Sequence, residues 1–229
     1  IIINFIVWFA MFVLSRKVGF AIEDYGAIHY FGSPLFQPFQ LVTYMFIHAS
    51  FTHLFFNMFA LFMFGMTLER VLGSKRFLFY FISCGIGAAL FQEGVFAVMI
   101  NKYLSLLDSG ALETVKTEGA EIISRGMNYV DPTLGHLNSL YNGGTVGASG
   151  ATYGVLLAFG MIFPNRPIYL MFIPIPIKAK WFVFGYGVIE LVQGLGMNQG
   201  DNVAHFAHLG GMLFGLLMIL YWKKKGTIY

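Results

Sequence analysis

Gly147-Ala148-Ser149-Gly150-Ala151-Thr152-Tyr153-Gly154-Val155-Leu156-Leu157-Ala158-Phe159-Gly160-Met161-Ile162-Phe163 is an uncharged run that stops at Pro164. It is too long and too continuous for the short alternating strand of a membrane β-barrel. A helix satisfies its own backbone hydrogen bonds in lipid, so the run reads as a membrane helix. Gly150 and Gly154 stand four apart and give it a small-residue face, against which a second helix can approach closely. From Ser149 to Phe163 the helix covers about 22 Å at 1.5 Å per residue, against a hydrocarbon core of about 30 Å. Anchored at its inner end, it holds Ser149 below the outer surface. Irregular backbone at that depth needs protein or a water-filled cavity around it.

The rest of the chain has the same character. Of 229 residues 57% are hydrophobic and 11% charged, with a mean hydropathy of +0.70. Soluble domains carry about 25% charged residues, so the fold class is an all-α polytopic membrane protein. Ile1–Leu14 reads as the remainder of a first span, since the chain opens in an apolar run without methionine. Further spans are expected near Ser50–Val71, Phe77–Ile100, Ser149–Pro164, Lys180–Met197 and Val203–Trp222. Residues 15–47, broken by Gly26, Gly32, Pro34 and Pro38 and rich in aromatics, read as a loop lying in the membrane interface. Residues 101–146 form a polar insert between the third and fourth spans, with a surface helix expected at about 111–125. The whole, 1–229, is expected to be a single membrane domain. The lone Cys84 excludes an internal disulfide and a cysteine-rich metal site.

Six spans put both termini on one side. Arg70, Lys75, Arg76, Arg166, Lys178, Lys180, Lys223, Lys224 and Lys225 fall on one face. Arg16, Lys17, Lys102, Lys116 and Arg125 fall on the other, diluted by most of the acids. The positive-inside rule then makes the termini cytoplasmic and the start of the fourth span outward-facing. A bacterial inner membrane is the expected location.

A serine hydroxyl is a weak nucleophile and needs an adjacent base. The sixth span offers one in Ala207-His208-Leu209-Gly210-Gly211-Met212-Leu213-Phe214-Gly215. Gly211 and Gly215 form a small-residue stripe there, matching Gly150 and Gly154. If the two faces pack together, His208 meets Ser149 near the outer helix ends. Tyr153, one turn below Ser149 on the same face, is set to stack on the imidazole. The second span adds His48, His53 and Asn57. His53 and Asn57 are four apart on one face, where they can donate hydrogen bonds to a developing oxyanion.

In this combination the chain resembles the rhomboid family of intramembrane serine proteases. The matching stretches are His48-Ala-Ser-Phe-Thr-His53-Leu-Phe-Phe-Asn57, then Gly147-Ala-Ser149-Gly150 with Tyr153, then Ala207-His208 with Gly211 and Gly215. Gly65, Glu69 and Gly73 also fit the family pattern. The resemblance implies a six-transmembrane-helix bundle with Ser149 as nucleophile and His208 as base, and no acidic third member. It implies an oxyanion hole made by the Ser149 N–H, His53 and Asn57, with His48 in the supporting polar network and Tyr153 behind His208. The substrates would be transmembrane segments of other proteins, cut near their outer ends. The lipid bilayer is the other partner; no nucleic acid, cofactor or metal is expected. The family often has a Trp-Arg pair in the outer loop where this chain has Phe39-Gln40, a departure that bears on loop anchoring. Glu190, an acid in the fifth span, has no role assigned by sequence.

Two rival readings share parts of the pattern. A catalytically inactive rhomboid-like binder of membrane proteins would have the same fold. Such relatives typically lack the serine or the histidine, and this chain keeps both. A metal transporter would use His48, His53, His205 and His208, but no carboxylate has the spacing of a His-Glu-x-x-His zinc site.

Overall fold

The computed structural model describes residues 1–18, 22–170, 173–196 and 204–227. In chain order its elements are α1 (Ile2–Val18), α2 (Ile22–Gly26), α3 (Gln40–Thr43), a 3-10 turn (Tyr44–Phe46), α4 (Phe51–Ala60), a π turn (Leu61–Gly65), α5 (Met66–Leu72) and α6 (Ser74–Leu104). Then come α7 (Ala111–Ser124), α8 (Pro132–Asn142), α9 (Ser149–Ile162), β1 (Pro167–Leu170), β2 (Ile173–Lys178), α10 (Ala179–Gly196) and α11 (His205–Lys224). The chain is an all-α polytopic membrane bundle. Phe51–Leu72, Ser74–Leu104 and His205–Lys224 are each long and apolar enough to cross a bilayer, and α9 is a shorter apolar helix. Large apolar side chains such as Phe184, Val192, Leu195 and Leu217 are exposed on α10 and α11, as lipid-facing surfaces require. The expected span limits at Met197 and Val203 lie outside the described residues.

Several elements differ from expectation. α1 runs past Leu14 to Val18, with the Arg16 guanidinium lying 4.2 Å from the Phe12 ring centre. A long cationic side chain folded back on an aromatic lets a helix end carry charge at the interface. The second span contains a π turn at Leu61–Gly65, between the half that carries His53 and Asn57 and the half that carries Glu69. Gly73 ends it at φ 77°, with its N–H donating to Glu69 O at 2.8 Å. Only glycine adopts that conformation readily, so α5 stops and α6 begins at the next residue. Between the fourth and fifth spans, β1 and β2 pair antiparallel, Ile168 facing Ile177. The Ile173-Pro-Ile-Pro-Ile177 alternation suits this place, because both strands of a hairpin are edges and proline is tolerated only on edges.

The chain gathers into two compact units. One holds Ile1, His48–Phe91 and Gly147–Tyr229, and the other holds Ile2–Ile47 and Gln92–Val146. In the second, Val115, Leu137 and Tyr141 of the polar insert form a buried cluster with Ile100 of α6. α7 was legible from sequence. α8 was not, although Asp131-Pro132 signals it: Asp131 Oδ1 accepts the Leu134 N–H at 2.8 Å, and the proline sits in the first turn. Asn142 Nδ2 donates to Val115 O and Asn138 Oδ1, each at 2.9 Å, tying α8 to α7.

The same unit shows what anchors the outer loop. Gln40 is 1% exposed. Its Oε1 accepts the backbone N–H of His29 at 3.3 Å and of Gln37 at 3.1 Å, and its Nε2 donates to Tyr25 O and Leu35 O, both at 3.0 Å. One side-chain amide therefore satisfies four backbone groups across residues 25–40. Burial costs polar groups dearly once a partner is lost, so Gln40→Ala should destabilise the loop by roughly 2 kcal/mol or more. Limited proteolysis in detergent should show faster cutting within 25–40 in that variant.

In the first unit, glycines set the helix spacing. A Cβ at Gly211 would overlap the Gly150 carbonyl, and one at Gly154 would stand 2.6 Å from Cys84 Sγ. Tyr80 of α6 donates its hydroxyl to Gly154 O at 2.7 Å, crossing the place where a side chain at Gly215 would sit. α9 is thus held against α11 by backbone-to-backbone approach, and against α6 by the Cys84 and Tyr80 side chains that fill the space beside its glycines. At the other end of these helices, Arg76 Nη1 donates to Thr227 O at 3.0 Å and Lys223 Nζ to Met161 O at 3.4 Å. Cations from the start of α6 and the end of α11 therefore share the end of the bundle opposite Ser149.

Candidate active site

The approach to α9 requires a glycine. Gly147 has φ 126°, and a Cβ there would lie 2.7 Å from His53 Cε1 and 2.8 Å from Nε2. The next N–H, of Ala148, donates to His48 Nε2 at 3.5 Å. Ser149 then opens the helix, and Thr152 secures the first turn through N–H and Oγ1 bonds to Ala148 O at 2.9 and 3.0 Å. A helix start leaves its first N–H groups without intrahelical acceptors and carries a partial positive charge. The Ser149 N–H is one of these groups. Gly147→Ala should therefore cost about 1–3 kcal/mol in backbone strain and displace the His53 ring. A lower melting temperature together with a depressed cleavage rate would register both effects.

Ser149 Oγ lies 2.7 Å from His208 Nε2. The close approach of α9 and α11 at Gly150 and Gly211 brings the two residues together. The Tyr153 ring stacks on the His208 imidazole with centres 4.2 Å apart and planes 4° from parallel. His208 is 7% exposed. Its Nε2 faces the hydroxyl, so the hydroxyl can donate and the ring nitrogen accept.

The absence of an acid beside the histidine, implied by the resemblance, does not match the structure. Glu190 of α10, 4% exposed, accepts the Tyr153 hydroxyl on Oε1. Its Oε2 is 2.6 Å from His205 Nδ1 and 2.9 Å from His208 Nδ1. The second contact is within charge-pair distance, but the ring N–H is turned off the line of a hydrogen bond. Glu190 reaches the imidazole because α10 packs against both α9 and α11. The sequence held one signal for this, since a carboxylate inside a span is costly and tends to have a partner. His205, one turn before His208, was legible only as a possible metal ligand. Glu190, His205 and His208 do converge, with ligand atoms within 4.8 Å of one another.

The second-span residues are placed in two ways. Ser50 caps α4, its Oγ accepting the His53 N–H at 3.1 Å. That sets the His53 ring against Gly147 and edge-on to His48, with ring centres 5.0 Å apart. Asn57 is buried, and its Nδ2 donates to His53 O at 3.0 Å, along its own helix. The amide has a second N–H for another acceptor. An apolar cavity of about 500 Å³ lies elsewhere, lined by Leu157, Phe184 and Leu213 among others. None of the candidate site residues lines it.

Comparison with known proteins follows the same helices. The Rhomboid domain model matches residues 35–112 and 122–225. The chain is 30% identical over 179 residues to Rhomboid protein 1, mitochondrial, of Saccharomyces cerevisiae, covering 78% of this chain and 40% of that protein. It is 28% identical over 179 residues to the rhomboid protease AarA of Providencia stuartii, covering 76% and 52%. It is 27% identical over 201 residues to the human presenilin-associated rhomboid-like protein, mitochondrial, covering 83% and 40%. The chain thus spans about half or less of the length of these relatives. With most of its length matched, including every helix that carries Ser149, His208, His53 and Asn57, the chain belongs to the rhomboid family.

Proposed function

We propose that the chain is an intramembrane serine endopeptidase that cuts transmembrane segments of other proteins near the outer membrane face. The observation that carries this reading is the 2.7 Å separation of Ser149 Oγ and His208 Nε2 beneath a stacked Tyr153. Oγ attacks the scissile carbonyl carbon while its proton passes to Nε2. The carbonyl oxygen becomes an oxyanion, received by the Ser149 N–H at the start of α9 and by His53 and Asn57. His208 returns the proton to the leaving amine, an acyl-enzyme remains, and water activated by the same histidine releases the second product. No cofactor or metal enters these steps.

The substrate segment has to unwind, because a helical peptide bond is shielded by its i to i−4 hydrogen bonds. Small, helix-weakening residues near the outer end make that easier. The protein is integral to the membrane, and by the cation distribution its termini lie on the cytoplasmic side. A specifically bacterial membrane gets no support from the relatives, which are mitochondrial as well as bacterial. The test is reconstitution in proteoliposomes with a single-span substrate and mass mapping of the products. Cleavage within the outer part of the span is expected; an intact substrate beside folded protein would overturn the reading.

A further inference from the structure

Resting on the proteolytic reading, we propose that Glu190 is the positioning residue for His208, so that the site works as a Glu190–His208–Ser149 relay. For Nε2 to take the serine proton, the neutral imidazole must carry its own proton on Nδ1. Glu190 Oε2 stands 2.9 Å from that Nδ1. A carboxylate there selects the useful tautomer and stabilises the imidazolium that forms as Ser149 attacks.

The carboxylate itself is built in. A buried charge in a span is tolerated only when it is paired and hydrogen-bonded. Oε1 takes the Tyr153 hydroxyl and Oε2 takes His205 Nδ1 at 2.6 Å. Tyr153 thereby does two things: it fixes the plane of the imidazole by stacking and holds the acid at the ring edge. The His208 N–H is turned off the bonding line in the resting chain. Catalytic hydrogen bonds are often poorly aligned without substrate and tighten in its complex, so a turn of the ring brings this N–H onto Oε2.

The role is a positioning one, since Glu190 reaches the reacting atoms only through His208. The experiment uses full-length protein in proteoliposomes, with Glu190→Gln and Glu190→Asp. Glu190→Gln keeps shape and polarity but removes the charge. It should lower kcat roughly 100-fold or more with KM changed less than about threefold, in line with loss of the acid in serine proteases. Glu190→Asp should recover part of kcat, and it carries the same test should Glu190→Gln fail to fold. In parallel, ¹⁵N NMR of labelled histidine should assign His208 the Nδ1–H tautomer in the wild type and a mixture in Glu190→Gln.

An unchanged kcat in Glu190→Gln, a kcat in Glu190→Asp no higher than in Glu190→Gln, a rise in KM alone, or an unaltered His208 tautomer in Glu190→Gln would overturn the proposal. So would stoichiometric zinc held by the wild type and lost in Glu190→Gln, which would assign the cluster to a metal. If the wild type cleaves nothing, the proteolytic reading fails on its own, and the tautomer still reads the Glu190–His208 link independently.

Discussion

Alanine at Ser149 is expected to lower cleavage of a transmembrane substrate by about ten-thousand-fold or more, and alanine at His208 by a similar factor. The two losses should not add. Each removes one half of a single proton-coupled attack, so the double variant should be no slower than either single variant. Both changes leave untouched the glycine contacts that set the helix spacing. Ser149 is only partly buried at a helix start whose first turn is secured by Thr152. His208→Ala removes a ring near the helix end, while the glycine contacts below it stay intact. Cleavage rates measured beside thermal melting would separate chemistry from stability. Wild-type activity in either variant would remove the nucleophile or the base from the account.

Gly211→Ala should also be damaging, though it removes no group that takes part in the proton transfer. A Cβ at 211 would overlap the Gly150 carbonyl. Because that atom is backbone, no side-chain rotation can make room. α9 and α11 must move apart, and Ser149 and His208 are carried on those two helices. Misplacement by about 1 Å can cost about 100-fold in rate, and overpacking of this kind typically costs about 1–3 kcal/mol. The expected result is a loss of cleavage of at least 100-fold with a lower melting temperature. Gly185, whose Cβ would meet nothing within 4 Å, is the control: Gly185→Ala should leave both measurements nearly unchanged.

Helix glycines of this kind are what made the chain readable. The apolar runs predicted the membrane class, and the four-residue spacing of Gly150, Gly154, Gly211 and Gly215 pointed to a close pair of helices. Local signals also marked the start of α9 at Ser149 and the helix at Ala111–Ser124. What escaped was mostly non-local or weakly patterned. The π turn at Leu61–Gly65 has no apolar period of its own to announce it. α8 was hidden by its polar composition, although its cap was visible in Asp131-Pro132. Gln40 read as a departure from a family pattern, whereas its amide turns out to bind four backbone groups of the loop. Glu190 was visible as an anomaly, but only the packing of α10 against the α9–α11 pair reveals what it faces.

Ser149 stands or falls as a nucleophile most directly by covalent capture. Folded protein in detergent, treated with a serine-directed fluorophosphonate and digested, should carry the label on Ser149 at close to one per chain. The label should be lost when His208 is replaced by alanine. Protein that remains folded but unlabelled at Ser149, or that labels equally well without His208, would contradict the account.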